Sequence, residues 1–192
     1  VLGYSLGARV ALGLCLEYPE LFSRAALIGV NPGITEPSER TERVRWEQGF
    51  IEVLEREGLA AFLAQWEELP LFRSQASLPA EARAVQRHIR ASHRAEGLAH
   101  ALRVLGTGQM PDYFPELGRL KLPVLLVAGE NDVKFRSIAE RAQALLQNAR
   151  IAVVPGAGHN PLIEAPDALL ASIELFLTAP SLATPSLTSP SS

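Results

Sequence analysis

Gly3-Tyr4-Ser5-Leu6-Gly7 joins two different textures. Before it stands the apolar pair Val1-Leu2; after it residues 6–16 (LGARVALGLCL) read as a buried helix that ends ahead of Tyr18-Pro19. A Gly-x-Ser-x-Gly match arises by chance in roughly 5% of chains of this length, so the context carries the argument. Strand, sharp turn, helix is the context that exposes a serine hydroxyl at a helix N-terminus, where backbone N–H groups favour a developing anion. The two glycines are expected to let the chain turn and to leave room for close packing. The competing reading is a serine that merely caps a helix.

Outward from this turn, residues 24–30 (RAALIGV) form a short apolar run closed by Asn31-Pro32-Gly33, which predicts a buried strand ending in a turn. From Ile34 to about Gly108 the spacing becomes helical, charge is dense and no strand is evident. Strand texture returns at residues 122–129 (LPVLLVAG) and 151–154 (IAVV), with helices expected near 137–146 and 166–177. Strands and helices alternating on both sides of a helical block predict an α/β fold, a parallel sheet interrupted by a helical insertion. The expected organisation is a core over 1–33, a helical lid over 34–110, more core over 111–178, and a disordered Pro/Ser/Thr tail over 179–192.

Composition narrows the function classes. The 192 residues carry a net charge of -3, with 47% hydrophobic and 20% charged residues, so no strongly basic surface for nucleic acid is expected. No apolar run approaches the roughly 20 residues of a membrane span, and no signal peptide is evident, so a cytoplasmic location is expected. One cysteine, Cys15, excludes an internal disulfide and a cysteine-built metal site; it reads as core packing. No clustered metal ligands and no nucleotide-binding loop appear, since no Lys-Ser or Lys-Thr follows Gly7. Neither metal nor cofactor is expected, and oligomeric state is not legible.

A serine needs a base. Of four histidines, His88, His93 and His100 fall in the helical block and read as solvated surface. His159 instead follows a strand, in Pro155-Gly156-Ala157-Gly158-His159-Asn160. Asp132, one of three aspartates, sits just past the strand LPVLLVAG, in Gly129-Glu130-Asn131-Asp132. Loops after parallel strands share the sheet's carboxyl edge, where α/β sites gather. The order Ser5, Asp132, His159 is that of the α/β-hydrolase fold. His159 would take the Ser5 proton, Asp132 would hold the imidazole tautomer, and the Leu6 amide would supply one oxyanion donor.

Several segments then narrow the likeness: residues 3–12 (GYSLGARVAL), Asn31-Pro32-Gly33, Trp66-x-x-Leu69-Pro70-Leu71-Phe72-x-Ser74, residues 105–109 (LGTGQ), Gly129-Glu130-x-Asp132-x-Lys134-Phe135, and residues 157–160 (AGHN). Over about residues 1–177 the chain resembles the 2-succinyl-6-hydroxy-2,4-cyclohexadiene-1-carboxylate (SHCHC) synthases, α/β-hydrolase-fold lyases of menaquinone biosynthesis. That resemblance implies elimination in place of hydrolysis: the triad removes a ring proton from a multiply carboxylated cyclohexene, and pyruvate leaves. It implies substrate contacts at Tyr4, Arg9, Arg43, Trp66 and Arg90. Sixteen of the eighteen basic residues are arginine, and many in the block are expected to be surface partners of glutamates.

Ala8 departs from the second glycine more common after this leucine. The opening on Val1-Leu2, without methionine or polar lead-in, is expected of a C-terminal two-thirds whose first strands are missing. Those strands would bring the loop that completes the oxyanion hole, so the 192-residue chain alone is expected to be inactive. The rival readings are a serine-dependent hydrolase of esters or C–C bonds with the same triad and a non-catalytic binding protein of the same fold.

Overall fold

Val124–Gly129 is buried at every position, as a strand covered on both faces by helices must be. In a computed structural model of the chain, described over residues 1–179, this segment sits inside a parallel sheet. In chain order the elements are β1 (Leu2–Tyr4), α1 (Leu6–Glu17), β2 (Ala25–Ile28), α2 (Pro37–Arg56), α3 (Leu59–Trp66), α4 (Ala80–Ala91), α5 (Ala95–Leu105), β3 (Val124–Gly129), α6 (Val133–Gln143), β4 (Ala149–Val154), α7 (Pro161–Glu164) and α8 (Pro166–Thr178). Short 3-10 turns cover Pro19–Leu21, Pro70–Ser77 and Phe114–Arg119. The expected tail lies outside the described residues except for Ala179.

Among the described residues the sheet has four strands in the order β1-β2-β3-β4, every neighbouring pair parallel. Alternation along the strands assigns two cores. Ala25, Leu27, Val124 and Leu126 pack with α1 and α6 through Ala8, Leu12, Cys15, Ala139 and Ala142. Ala26, Ile28, Leu125 and Val127 face the other way, onto Leu169 and Phe176 of α8. Cys15 is fully buried in the first of these.

Helices α2 to α5 all fall between β2 and β3 and bury a third cluster of their own, built on Phe50, Ile51, Leu54, Phe62 and Ala99. No helix of the described residues is long and apolar enough to cross a membrane. Two elements depart from expectation. Helix α6 begins at Val133, four residues earlier than its apolar spacing suggests, because Asp132 caps it by accepting from the Phe135 N–H at 3.2 Å. The four-residue α7 was not foreseen; it is too short to show a period.

Because every strand is parallel, every following loop emerges at one edge. Ser5 follows β1, Gly29 follows β2, Asp132 lies three residues past β3, and His159 lies in the loop after β4. The sheet therefore delivers four separate chain segments to one place.

Candidate active site

Ser5 occupies the turn between β1 and α1 with φ 50° and ψ -112°, the one non-glycine residue among those described with positive φ. Such a conformation stores strain, and the neighbours hold it there. The Ser5 N–H donates to the Ile28 carbonyl at 2.8 Å, while the Ser5 carbonyl accepts from Ala8 and Arg9 at 3.1 and 3.2 Å. A Cβ at Gly3 would stand 2.5 Å from the Gly7 carbonyl oxygen and 2.7 Å from Ala8 Cα, so strand and helix approach too closely for any side chain. Gly7 has no such contact within 4 Å among the described residues, so close packing explains only the first of the two glycines. The Leu6 N–H has no backbone partner among the described residues. It stands next to the Ser5 hydroxyl at the start of α1.

With its Nδ1 protonated, His159 donates to Asp132 Oδ2 at 2.8 Å and accepts from the Ser5 hydroxyl at Nε2, at 3.2 Å. The His159 and Asp132 side chains are only 1% and 7% exposed, so the pair is shielded from water. The imidazole is also packed into place. Phe135 lies 4.3 Å from it, ring to ring, and Tyr4 5.6 Å. Phe135 thus touches the imidazole itself. Gly29, at φ +58°, leaves the space the ring fills: a Cβ there would stand 2.9 Å from His159 Cε1. The loop is fastened by Glu164, whose carboxylate accepts from the Gly158 N–H at 2.6 Å and the Asn160 N–H at 3.0 Å. Sequence reasoning missed Gly29 and Glu164, and only their placement beside the histidine reveals them.

One cavity of about 1460 Å³ is lined by Ser5, Leu6, Asp132, His159, Tyr4, Arg9, Arg43, Trp66 and Arg90. Arg9 projects from α1 one turn after Ser5. It is 9% exposed, and its buried Nη1 has no hydrogen-bond partner among the described residues. Burial, and then the nearby Arg43 cation, push its guanidinium down to about 10, against an upward pull from Glu47 smaller than the burial effect. Burial, followed by the charge of Glu164, pushes the Tyr4 phenol well above its usual range, so it stays protonated. Arg43 pairs through Nε with Glu47 at 2.7 Å and lies over the Trp46 ring.

Arg90 is tied to Glu67 at 2.9 Å and Gln75 at 3.1 Å, with its guanidinium over Phe72. Trp66 stacks on Phe62 and meets Phe50 and Phe72 edge-on or tilted, so it serves the helical core as well as the cavity wall. His88, His93 and His100 are exposed, though His93 also reaches the cavity rim.

Residues 1–172 match the model of the alpha/beta hydrolase family. The chain is 36% identical over 179 residues to the putative SHCHC synthase of Bacillus subtilis (strain 168), covering 93% of this chain and 65% of that one. It is 31% identical over 181 residues to the SHCHC synthase of Serratia proteamaculans (strain 568), covering 94% and 68%. The chain belongs to the alpha/beta hydrolase family, among the SHCHC synthases. It spans 65% of the Bacillus relative's length. Among solved structures it superposes on MenH from S. aureus with a TM-score of 0.90 and 38% identity, over 92% of this chain and 66% of that one. A thermophilic esterase from Thermogutta terrifontis follows at 0.74 and 26%, over 92% and 63%.

Proposed function

We propose that this chain carries the catalytic centre of a lyase that eliminates pyruvate from 2-succinyl-5-enolpyruvyl-6-hydroxy-3-cyclohexene-1-carboxylate, giving SHCHC in menaquinone biosynthesis. One observation supports this reading above the others: Arg9, a buried guanidinium with an unpartnered nitrogen, stands one turn from Ser5 in the same cavity. A buried, unpaired cation is costly unless a ligand anion completes it. A plain ester substrate offers no such anion; a polycarboxylate does. Arg43 and Arg90, which line the same cavity, would take further carboxylates, and Tyr4 and Trp66 would shape its apolar surface.

The chemistry follows from the double bonds. Substrate has one at ring position 3 and product has them at 2 and 4, so the proton lost is that on C2, beside the succinyl carbonyl. Ser5 Oγ, deprotonated through His159 Nε2, removes it. The C2–H electron pair becomes the 2,3 double bond, the 3,4 pair moves to 4,5, and the C5–O bond breaks. The departing enolate of pyruvate recovers a proton held on the Ser5–His159 pair. Charge that builds on the succinyl oxygen would be met by the Leu6 N–H. Asp132 keeps Nδ1 protonated, so Nε2 is the basic nitrogen. No metal or cofactor enters this scheme, and a cytoplasmic location belongs to the same reading.

The test is pyruvate release by the native protein, followed through lactate dehydrogenase, with Ser5→Ala as control. The esterase neighbour keeps a serine hydrolase as the second reading, in which Ser5 attacks a carbonyl and an acyl-enzyme forms. Ester or C–C hydrolysis indifferent to Arg9→Ala would establish that reading over the first.

A further inference from the structure

Glu47 is the most deeply buried carboxylate among the described residues, 2% exposed on α2, and the proposed chemistry leaves it unused. Both of its oxygens are occupied. Oε1 accepts from Arg43 Nε at 2.7 Å and from the Thr107 N–H at 2.7 Å; Oε2 accepts from the Gly108 N–H at 3.2 Å. The loop after α5 is shaped around it. A Cβ on Gly106 would run into Glu47 Oε2 and the Leu102 carbonyl, and one on Gly108 would stand 2.7 Å from Val44 Cγ2. Arg40, two turns before Glu47 on α2, closes the same junction by donating to the Gly108 and Met110 carbonyls at 2.9 and 3.0 Å. Residues 105–109, part of the resemblance but given no role by it, are thus the receptor for one acid of α2.

The choice of donors is informative. Arg43 gives Glu47 only its Nε, the inner edge of the guanidinium. Neither Nη group is bonded to protein among the described residues, and the guanidinium carbon lies 4.2 Å from the Trp46 ring centroid. A guanidinium held at Nε and against one face presents its outer N–H pair as a fixed fork, the geometry that takes a carboxylate bidentately. The charge of Glu47 also acts on a second cation of the cavity, opposing the burial that lowers the Arg9 pKa.

We propose that Glu47 is a positioning residue: braced by the 106–108 loop, it sets the Arg43 fork to receive one carboxylate of the polyanionic substrate. This rests on Arg43 being a substrate contact, as read above. The test is a double-mutant cycle in the native protein, reading KM and kcat for pyruvate release together with thermal melting. Arg43→Ala is expected to raise KM at least tenfold. Glu47→Gln is expected to raise KM about tenfold with kcat within about twofold, and to add less than about twofold to KM in the Arg43→Ala background.

Arg43→Lys keeps the charge but has one ammonium for two partners, so it should raise KM about as much as Glu47→Gln. If Glu47→Gln does not fold, this variant carries the test, and an unchanged KM there overturns the inference. A Glu47→Gln effect that is equal in both backgrounds, or confined to melting, also overturns it. An unchanged KM in Arg43→Ala removes the substrate contact itself, a separate failure that takes the inference with it.

Discussion

At the scale of single residues, Arg9 and Gly29 make the most direct claims. Arg9 is a base whose pKa is lowered by folding to about 10. Its charged form is therefore disfavoured in the folded state at all pH values below about 10, and the cost eases only as pH rises through that value. Arg9→Met should raise the melting temperature at neutral pH by at least about 2 °C, with the gain narrowing above about pH 10, while KM for the anionic substrate rises tenfold or more. Calorimetry alongside steady-state kinetics checks both halves, and a variant that is less stable at neutral pH would contradict the account of Arg9. Gly29 tests how closely the imidazole is held. A methyl group 2.9 Å from His159 Cε1, at a backbone φ of +58°, must push the ring off its line between Ser5 and Asp132. Displacements of this order cost about 10²-fold in rate, so Gly29→Ala should lose kcat to that degree with little change in KM.

At the scale of elements, the loop after β4 and the short helix α7 act as one unit. Glu164, the last residue of α7, reaches back to the amides on either side of His159. Glu164→Ala frees both amides and should lower kcat about tenfold while leaving KM within about twofold, since no cavity cation depends on it. Steady-state kinetics decides this, and a KM effect with unchanged kcat would show that the loop serves binding instead.

Part of this site is legible in the chain itself. Ser5, Asp132 and His159 could be found because each follows an apolar strand at a fixed, short distance, and parallel strands bring such loops to one edge. Helix α6 starts earlier than its apolar spacing predicts because its first turn, Val133-Lys134-Phe135-Arg136, alternates apolar and charged residues and its start is fixed by the Asp132 side chain. Glu47 was lost among the glutamates of the helical block. Its partners at Thr107 and Gly108 lie 60 and 61 residues away, and a carboxylate bound to distant backbone amides leaves no local period. Gly29 reads in sequence as an ordinary glycine at a strand end, since its reason is an imidazole 130 positions on.

At the scale of the whole molecule, a chain of net charge -3 surrounds a cavity whose wall carries Arg9, Arg43 and Arg90 among acids such as Glu36, Glu39 and Glu42. Attraction of a polyanion to those arginines is screened once the Debye length shrinks from about 10 Å at 0.1 M salt toward 3 Å at 1 M. The kcat/KM for the polycarboxylate should accordingly fall several-fold over that range, measured at fixed pH in sodium chloride, whereas a neutral ester turned over by the same serine would show little change. Two sheet cores and a separate helical cluster meet around this cavity, so the cations come from one part of the molecule and the base from another. The exceptions are Arg9, placed by the same helix that follows the serine, and Lys134 and Arg141, which line the cavity from α6. Whether this serine drives the elimination is read most directly from pyruvate release from the enolpyruvyl substrate by the native protein beside its Ser5→Ala variant. The expected result is stoichiometric pyruvate and the diene carboxylate from the native protein, with kcat reduced at least 10³-fold by the substitution. No pyruvate from a folded native protein, or release unaffected by loss of the serine hydroxyl, would contradict it.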